Sequence, residues 1–123
     1  MVAKKSFAYL KKTTIEVITF EVKPLGYLDD KTGVFETASH SVFSTSSYLM
    51  LHCESHQGER DVENILPLCK NFGIGLILFS DPKDYSTYNP ILLPERKLPN
   101  YEKVEEFIKI QLSSTSKDRL LKW

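Results

Sequence analysis

The sequence predicts an α/β domain in which a mixed central sheet is flanked by helices. Three observations predict it. A β-branched run from Thr14 to Lys23 and two short apolar runs, Tyr48–Cys53 and Ile74–Phe79, are separated by stretches whose apolar residues recur at helical spacing. Strand-like and helix-like patterns therefore alternate, as they do when helices pack on a partly parallel sheet. The chain has 123 residues, of which 41% are hydrophobic, 11% aromatic and 26% charged. That is the make-up of one globular domain, and it excludes a disordered, collagen-like or coiled-coil chain.

Taken in order, Thr14-Ile15-Glu16-Val17-Ile18-Thr19-Phe20-Glu21-Val22-Lys23 reads as a strand that stops at Pro24, with Gly26 beyond. Ser6–Lys12 is its expected hairpin partner. A loop containing Gly26, Asp29, Asp30 and Gly33 follows. From Val34 to about Ser47, Val34, Phe35, Ala38, Val42 and Phe43 fit one helix face, weakened by the serines and threonines. Tyr48–Cys53 is a short, largely apolar run and reads as a strand covered on both faces by helices. Arg60–Phe72 carries Val62, Ile65, Leu66, Leu68, Cys69 and Phe72 at helical spacing, with Pro67 marking a kink or a late start. Gly73 is placed to cap that helix in a left-handed turn. Ile74–Phe79 is a second buried strand. Asp84–Pro99 holds several prolines and the run Ile91-Leu92-Leu93, an expected edge strand. Asn100 should cap a helix from Tyr101 to Leu112 that buries Val104, Phe107 and Ile108. The reading is one domain over residues 1–112 and a polar, frayed tail over 113–123.

Sixteen basic and sixteen acidic residues cancel. This argues against a strongly cationic coat for nucleic acid, though not against a local basic face. Two cysteines, Cys53 and Cys69, fit a reducing compartment better than a disulfide scaffold. No apolar run approaches the roughly 20 residues that span a bilayer, and Met1–Ser6 lacks the core of a signal peptide. These features predict a cytoplasmic protein that does not enter a membrane.

Glu21 and Lys23 are the first candidates for chemistry. Side chains alternate along a strand, so Thr19, Glu21 and Lys23 share one face and Glu16, Ile18, Phe20 and Val22 the other. A carboxylate can hold a hard cation such as Mg²⁺. A lysine two residues on can stabilise charge building on a phosphate. The same spacing also suits a plain ion pair on an exposed edge strand.

The order of segments favours the first use. Phe20-Glu21-Val22-Lys23, Val34-Phe35-Glu36-Thr37-Ala38-Ser39-His40-Ser41, Tyr48-Leu49-Met50-Leu51 and Asn71–Ile77 together resemble the core of the PD-(D/E)xK nuclease superfamily. They are similar to the restriction-endonuclease-like domain of HrgA-type bacterial proteins, whose pattern runs FElK strand, QavSN helix, YLV strand and fGIGvi strand. The resemblance covers residues 15–80. It implies a restriction-endonuclease-like fold and an Mg²⁺-dependent DNA endonuclease, with Glu21 as metal ligand and Lys23 as catalytic lysine. Glu36 stands where the group often has glutamine, and His40 where it often has asparagine. Four residues apart, they share a helix face, which either looks toward Glu21 or is simply solvated. One departure is clear. The family places an acidic residue on the strand before Glu21, and the only acid before it here is Glu16, on the other face. The chain is then either a fragment beginning just after that motif or a domain with an incomplete site. The alternative reading is a non-catalytic DNA-binding or protein-interaction module, alone, as a homo-oligomer or in a larger complex.

Other clusters carry less. His52-Cys53-x-x-His56 has zinc-like spacing, but with only Cys69 as a fourth ligand it reads better as a small buried thiol beside surface histidines. Gly73-Ile74-Gly75 precedes a strand and opens no helix, so it is not a phosphate loop. Tyr85, Tyr88 and Tyr101 either stack on bases or pin a long loop.

Overall fold

The computed structural model describes residues 1–7, 9, 12–26 and 30–122. Among the described residues, five strands form one mixed sheet in sequence order: β1 (Val2–Phe7), β2 (Lys12–Pro24), β3 (Ser46–His52), β4 (Gly75–Phe79) and β5 (Asn89–Leu92). The helices are α1 (Asp30–His40), α2 (Leu66–Phe72), α3 (Tyr101–Gln111) and α4 (Ser114–Lys122), with short 3-10 turns at Ser41–Phe43, Glu59–Val62 and Tyr85–Thr87.

The three strands expected to share a sheet do so. β1 and β2 form an antiparallel hairpin, with Val2 opposite Val17. The partner strand lies earlier than expected. Within Ser6–Lys12, residues Ala8, Leu10 and Lys11 lie outside the described residues, as does Asp29 of the expected loop. β2 is 13 residues long because it serves two neighbours. Its first half pairs with β1, and Ile18–Pro24 pairs in parallel with β3. β3 pairs in parallel with β4, and β5 closes the other edge antiparallel to β4. Pro90 sits in that edge strand, where a missing N–H is tolerated.

Alternation decides which side of the sheet is the core. Leu49, Leu51, Leu76 and Leu78 are buried together with Val34, Val62, Ile65 and Cys69. At about 1.5–3 kcal/mol for each fully buried aliphatic side chain, this cluster is the main source of stability. The intervening residues Tyr48, Met50 and Ile77 are only half-buried. Burial of β3 thus alternates, which corrects the expectation of helices over both its faces: an apolar run reads the same whether its second face meets a helix or a loop. On that second face, Pro94 lies against Gly75 and Arg96 pairs with Glu16.

α1 also differs from expectation. It starts at Asp30 and ends at His40, and it buries Gly33, Val34 and Thr37. Phe35 and Val42 of the expected apolar stripe are more than half exposed. Phe35 meets Phe72 edge-on instead. The serines and threonines that weakened the pattern are the reason: Thr37, Ser41, Ser44, Thr45 and Ser47 are buried and hydrogen-bonded, so polar residues occupy the inner face. Pro67 stands in the first turn of α2, and Gly73 closes it at φ 66° with its N–H on the Cys69 and Lys70 carbonyls. Asn100 caps α3 by accepting from the Lys103 N–H at 3.2 Å. Residues expected as a frayed tail form α4 instead. The Ser113 hydroxyl caps it by accepting from the Ser116 N–H, and Lys117 Nζ donates to the Lys109 carbonyl.

Candidate functional site

The strand pleat puts Glu21 and Lys23 on the face that α1 covers. The close approach of α1 depends on Gly33, where a Cβ would lie 3.3 Å from Leu49 Cδ1 and 3.7 Å from Lys23 Cγ. With Gly33 and Thr37 against the sheet, Glu36 and His40 overhang β2 one helical turn apart.

All four candidate residues therefore meet. Lys23 Nζ lies 2.8 Å from Glu36 Oε2 and 3.5 Å from Glu21 Oε1, and His40 Nδ1 lies 3.2 Å from Glu21 Oε2. The order Glu36, Lys23, Glu21, His40 alternates basic and acidic groups across two elements. Lys23 is held above its ordinary pKa, first by its hydrogen bond with Glu36. The same bond holds the Glu36 carboxyl below the usual range. Glu21 is the least exposed of the set, with 19% of its side chain open, against 35% for Lys23, 41% for Glu36 and 49% for His40.

The Glu21 and His40 end of the cluster lines a cleft of about 500 Å³. Its walls are the β2 edge from Val17 to Glu21, Met1, His40, and the aromatic residues Phe43 and Phe107 from the turn after α1 and from α3. Phe43 and Phe107 stack at 4.5 Å and 10°. Beneath lies a hydroxyl chain absent from the sequence-based candidates. Thr19 Oγ1 donates to Ser47 Oγ at 2.8 Å, and Ser47 Oγ shares a 2.6 Å bond with Ser44 Oγ. Lys97 Nζ donates to Ser41 Oγ at 2.7 Å, tying the segment before α3 to the same floor. The signal for it was the Ser44-Thr45-Ser46-Ser47 run directly ahead of an apolar strand.

Among the described residues, no three His, Cys, Asp or Glu side chains are placed as a ready-made metal cage. Glu21 and Glu36 both reach the Lys23 ammonium, which sits between them, so a cation taking both carboxylates would displace Lys23 Nζ. Two such carboxylates suit Mg²⁺, which keeps most of its waters and accepts one or two protein oxygens. The fit is to a weak site.

The remaining candidates stay apart from this one. Cys53 and Cys69 both sit in the core, and burial raises both thiols, Cys69 to about 11. His52 Nε2 bonds the Ser80 carbonyl at 2.9 Å. Tyr88 stacks on Phe79 and donates to the Pro82 carbonyl, which is the loop-pinning role. Tyr85 packs edgewise on Tyr88 yet is 82% exposed, and Tyr101 is exposed at the start of α3. No described helix is long and apolar enough to cross a membrane. Comparison with protein-family models, curated proteins and solved structures returns no match to this chain.

Proposed function

We propose that the chain is a PD-(D/E)xK-like domain, restriction-endonuclease-like in fold, directed at phosphodiester bonds in DNA. The observation that carries this reading is the convergence of Glu21 and Lys23 of β2 with Glu36 and His40 of α1 beside an open cleft. A hairpin whose second strand bears Glu-x-Lys, followed by a helix and a parallel strand, supports the same reading. Glu21 and Glu36 would hold Mg²⁺, which supplies a Lewis acid and an activated water when bound. Lys23 supplies a fixed positive charge for the phosphate oxygens. His40 holds the Glu21 carboxylate from the helix side. Phe43 and Phe107 give the cleft an apolar wall.

A second reading, a non-catalytic DNA-binding or interaction module, is favoured by one observation: Lys23 is committed to two carboxylates, and no acid from a neighbouring strand joins them among the described residues. Incubation of plasmid and linear DNA with the 123-residue chain and Mg²⁺ separates the two. The first reading expects feeble cleavage, because Lys23 and one strand carboxylate position the phosphate poorly. Glu21→Ala and Lys23→Ala should each abolish it, at a cost of roughly a hundredfold or more in rate. Calorimetry should find only weak Mg²⁺ binding, further weakened in Glu36→Gln. Cleavage surviving both alanine substitutions refutes the site. DNA binding without any cleavage establishes the module.

A further inference from the structure

The outer edge of β2 is half used. Ile18 exchanges backbone hydrogen bonds with Met1, and pairing with β1 ends there. Leu25 N–H points to the His52 carbonyl and Thr45 N–H to the Val17 carbonyl. Odd-numbered residues of β2 thus bond toward β3. Even-numbered ones bond outward, and among the described residues nothing pairs with the outward groups of Phe20 and Val22. Their side chains are exposed as well, at 44% and 55%. An exposed edge with bare donors and acceptors is a template for another strand.

We propose that the occupant is a second copy of this chain, its β2 edge pairing antiparallel with the first about a two-fold axis through Val22. Charge selects this register. With Val22 opposite its symmetry mate, Glu21 of each copy lies opposite Lys23 of the other, and directly opposed residues project to the same face. Val22 N–H of each copy then donates to the Val22 carbonyl of the other, and Phe20 N–H to the Pro24 carbonyl. Pro24 has no N–H to return, so the pairing ends there. Centring the axis on Glu21 instead would oppose two carboxylates. The interface is short and its dimer weak, since it buries little beyond one strand edge. It does not depend on the phosphodiester reading, although it would set a second strand carboxylate beside each Lys23.

Sedimentation velocity of the full chain across micromolar to near-millimolar concentration tests the proposal, with circular dichroism verifying each variant's fold. The wild type should show a concentration-dependent dimer. Val22→Lys sets like charges on the axis and should weaken association several-fold. Glu21→Lys and Lys23→Glu should each be monomeric alone. Mixed in equal amounts, they should restore a heterodimer, because every opposed pair is then of opposite sign. A strict monomer throughout, a dimer indifferent to Val22→Lys, or a mixture of the two charge variants that fails to associate would each overturn it.

Discussion

Gly75→Ala tests the packing that holds β4 against β3. A Cβ at Gly75 would lie 2.7 Å from Tyr48 Cδ1 and 2.9 Å from both Tyr48 Cε1 and Pro94 Cδ. Ordinary contact begins at 3.4 Å. Tyr48 is the direct cross-strand partner of Gly75, and its ring is stacked on Phe20 at 5.3 Å and 12°. The ring cannot retreat without breaking that stack, and Pro94 closes the remaining side. Overpacking of this kind costs about 1–3 kcal/mol. For a chain of this length, each kcal/mol lowers Tm by about 4 °C, so a drop of about 4–12 °C is expected in thermal melts followed by circular dichroism. Two variants make the cause specific. Gly58→Ala meets nothing within 4 Å at an extended φ of −172° and should be neutral or gain about 0.5 kcal/mol. In a Tyr48→Ala background the cost of Gly75→Ala should fall by more than half. A Gly75→Ala protein within about 0.5 kcal/mol of wild type, against the cost expected for overpacking, would refute the argument.

Further outcomes follow from the same structure. Lys23→Met removes the ion pair with Glu36. Because Glu36 titrates low, the wild-type advantage is present above the usual carboxylate pKa and fades as pH falls through the depressed value; because Lys23 titrates high, the advantage persists to strongly alkaline pH. Thermal melts should show a wild-type–variant gap that is steady near neutrality and closes below about pH 4; a gap persisting in strong acid contradicts the pairing. Cys69, with its thiol pushed up to about 11, and the buried Cys53 should resist a thiol reagent at neutral pH until denaturant is added; rapid labelling of native protein would show otherwise. Leu49→Ala, at the centre of the core cluster, should cost about 2–5 kcal/mol by denaturant titration. Asn100→Ala should cost about 1 kcal/mol by the same measurement, through the lost cap of α3.

Much of the fold was legible because it is written in local chemistry. β-branched residues ending at Pro24, apolar runs bounded by glycine and Asp81-Pro82, and the caps at Gly73 and Asn100 each act over a few residues. What failed was inference about faces. The α1 stripe was misjudged because the helix seats itself through Gly33, Thr37 and buried hydroxyls, and hydrophobicity cannot report a polar core whose groups satisfy one another. The second face of β3 was misjudged because half-burial under loops and full burial under helices demand the same residues. α4 was missed because a Ser113 cap and sparse leucines resemble a solvated tail. At the site, alternation placed Glu21 with Lys23, and i,i+4 spacing placed Glu36 with His40, but the hydroxyls of Thr19, Ser44 and Ser47 meet through tertiary contact that no local spacing reveals.

The divided use of β2 also shapes how the molecule can come apart. β1 binds only the first half of that strand, and β3 only the second, so the joint between the halves of the sheet is one continuous backbone. Thr45 clasps the joint: its hydroxyl takes the Val17 N–H at 3.1 Å and donates to the Val17 carbonyl at 2.9 Å. Detaching β1 breaks no pairing of β3, β4 or β5, so the arm can open as a unit well below the free energy of global unfolding. In native-state hydrogen exchange, amides of β1 and of the strand facing it should open together. Those facing β3 should outlast them, with the two sets overlapping at Val17, held by Thr45, and Ile18, held by Met1.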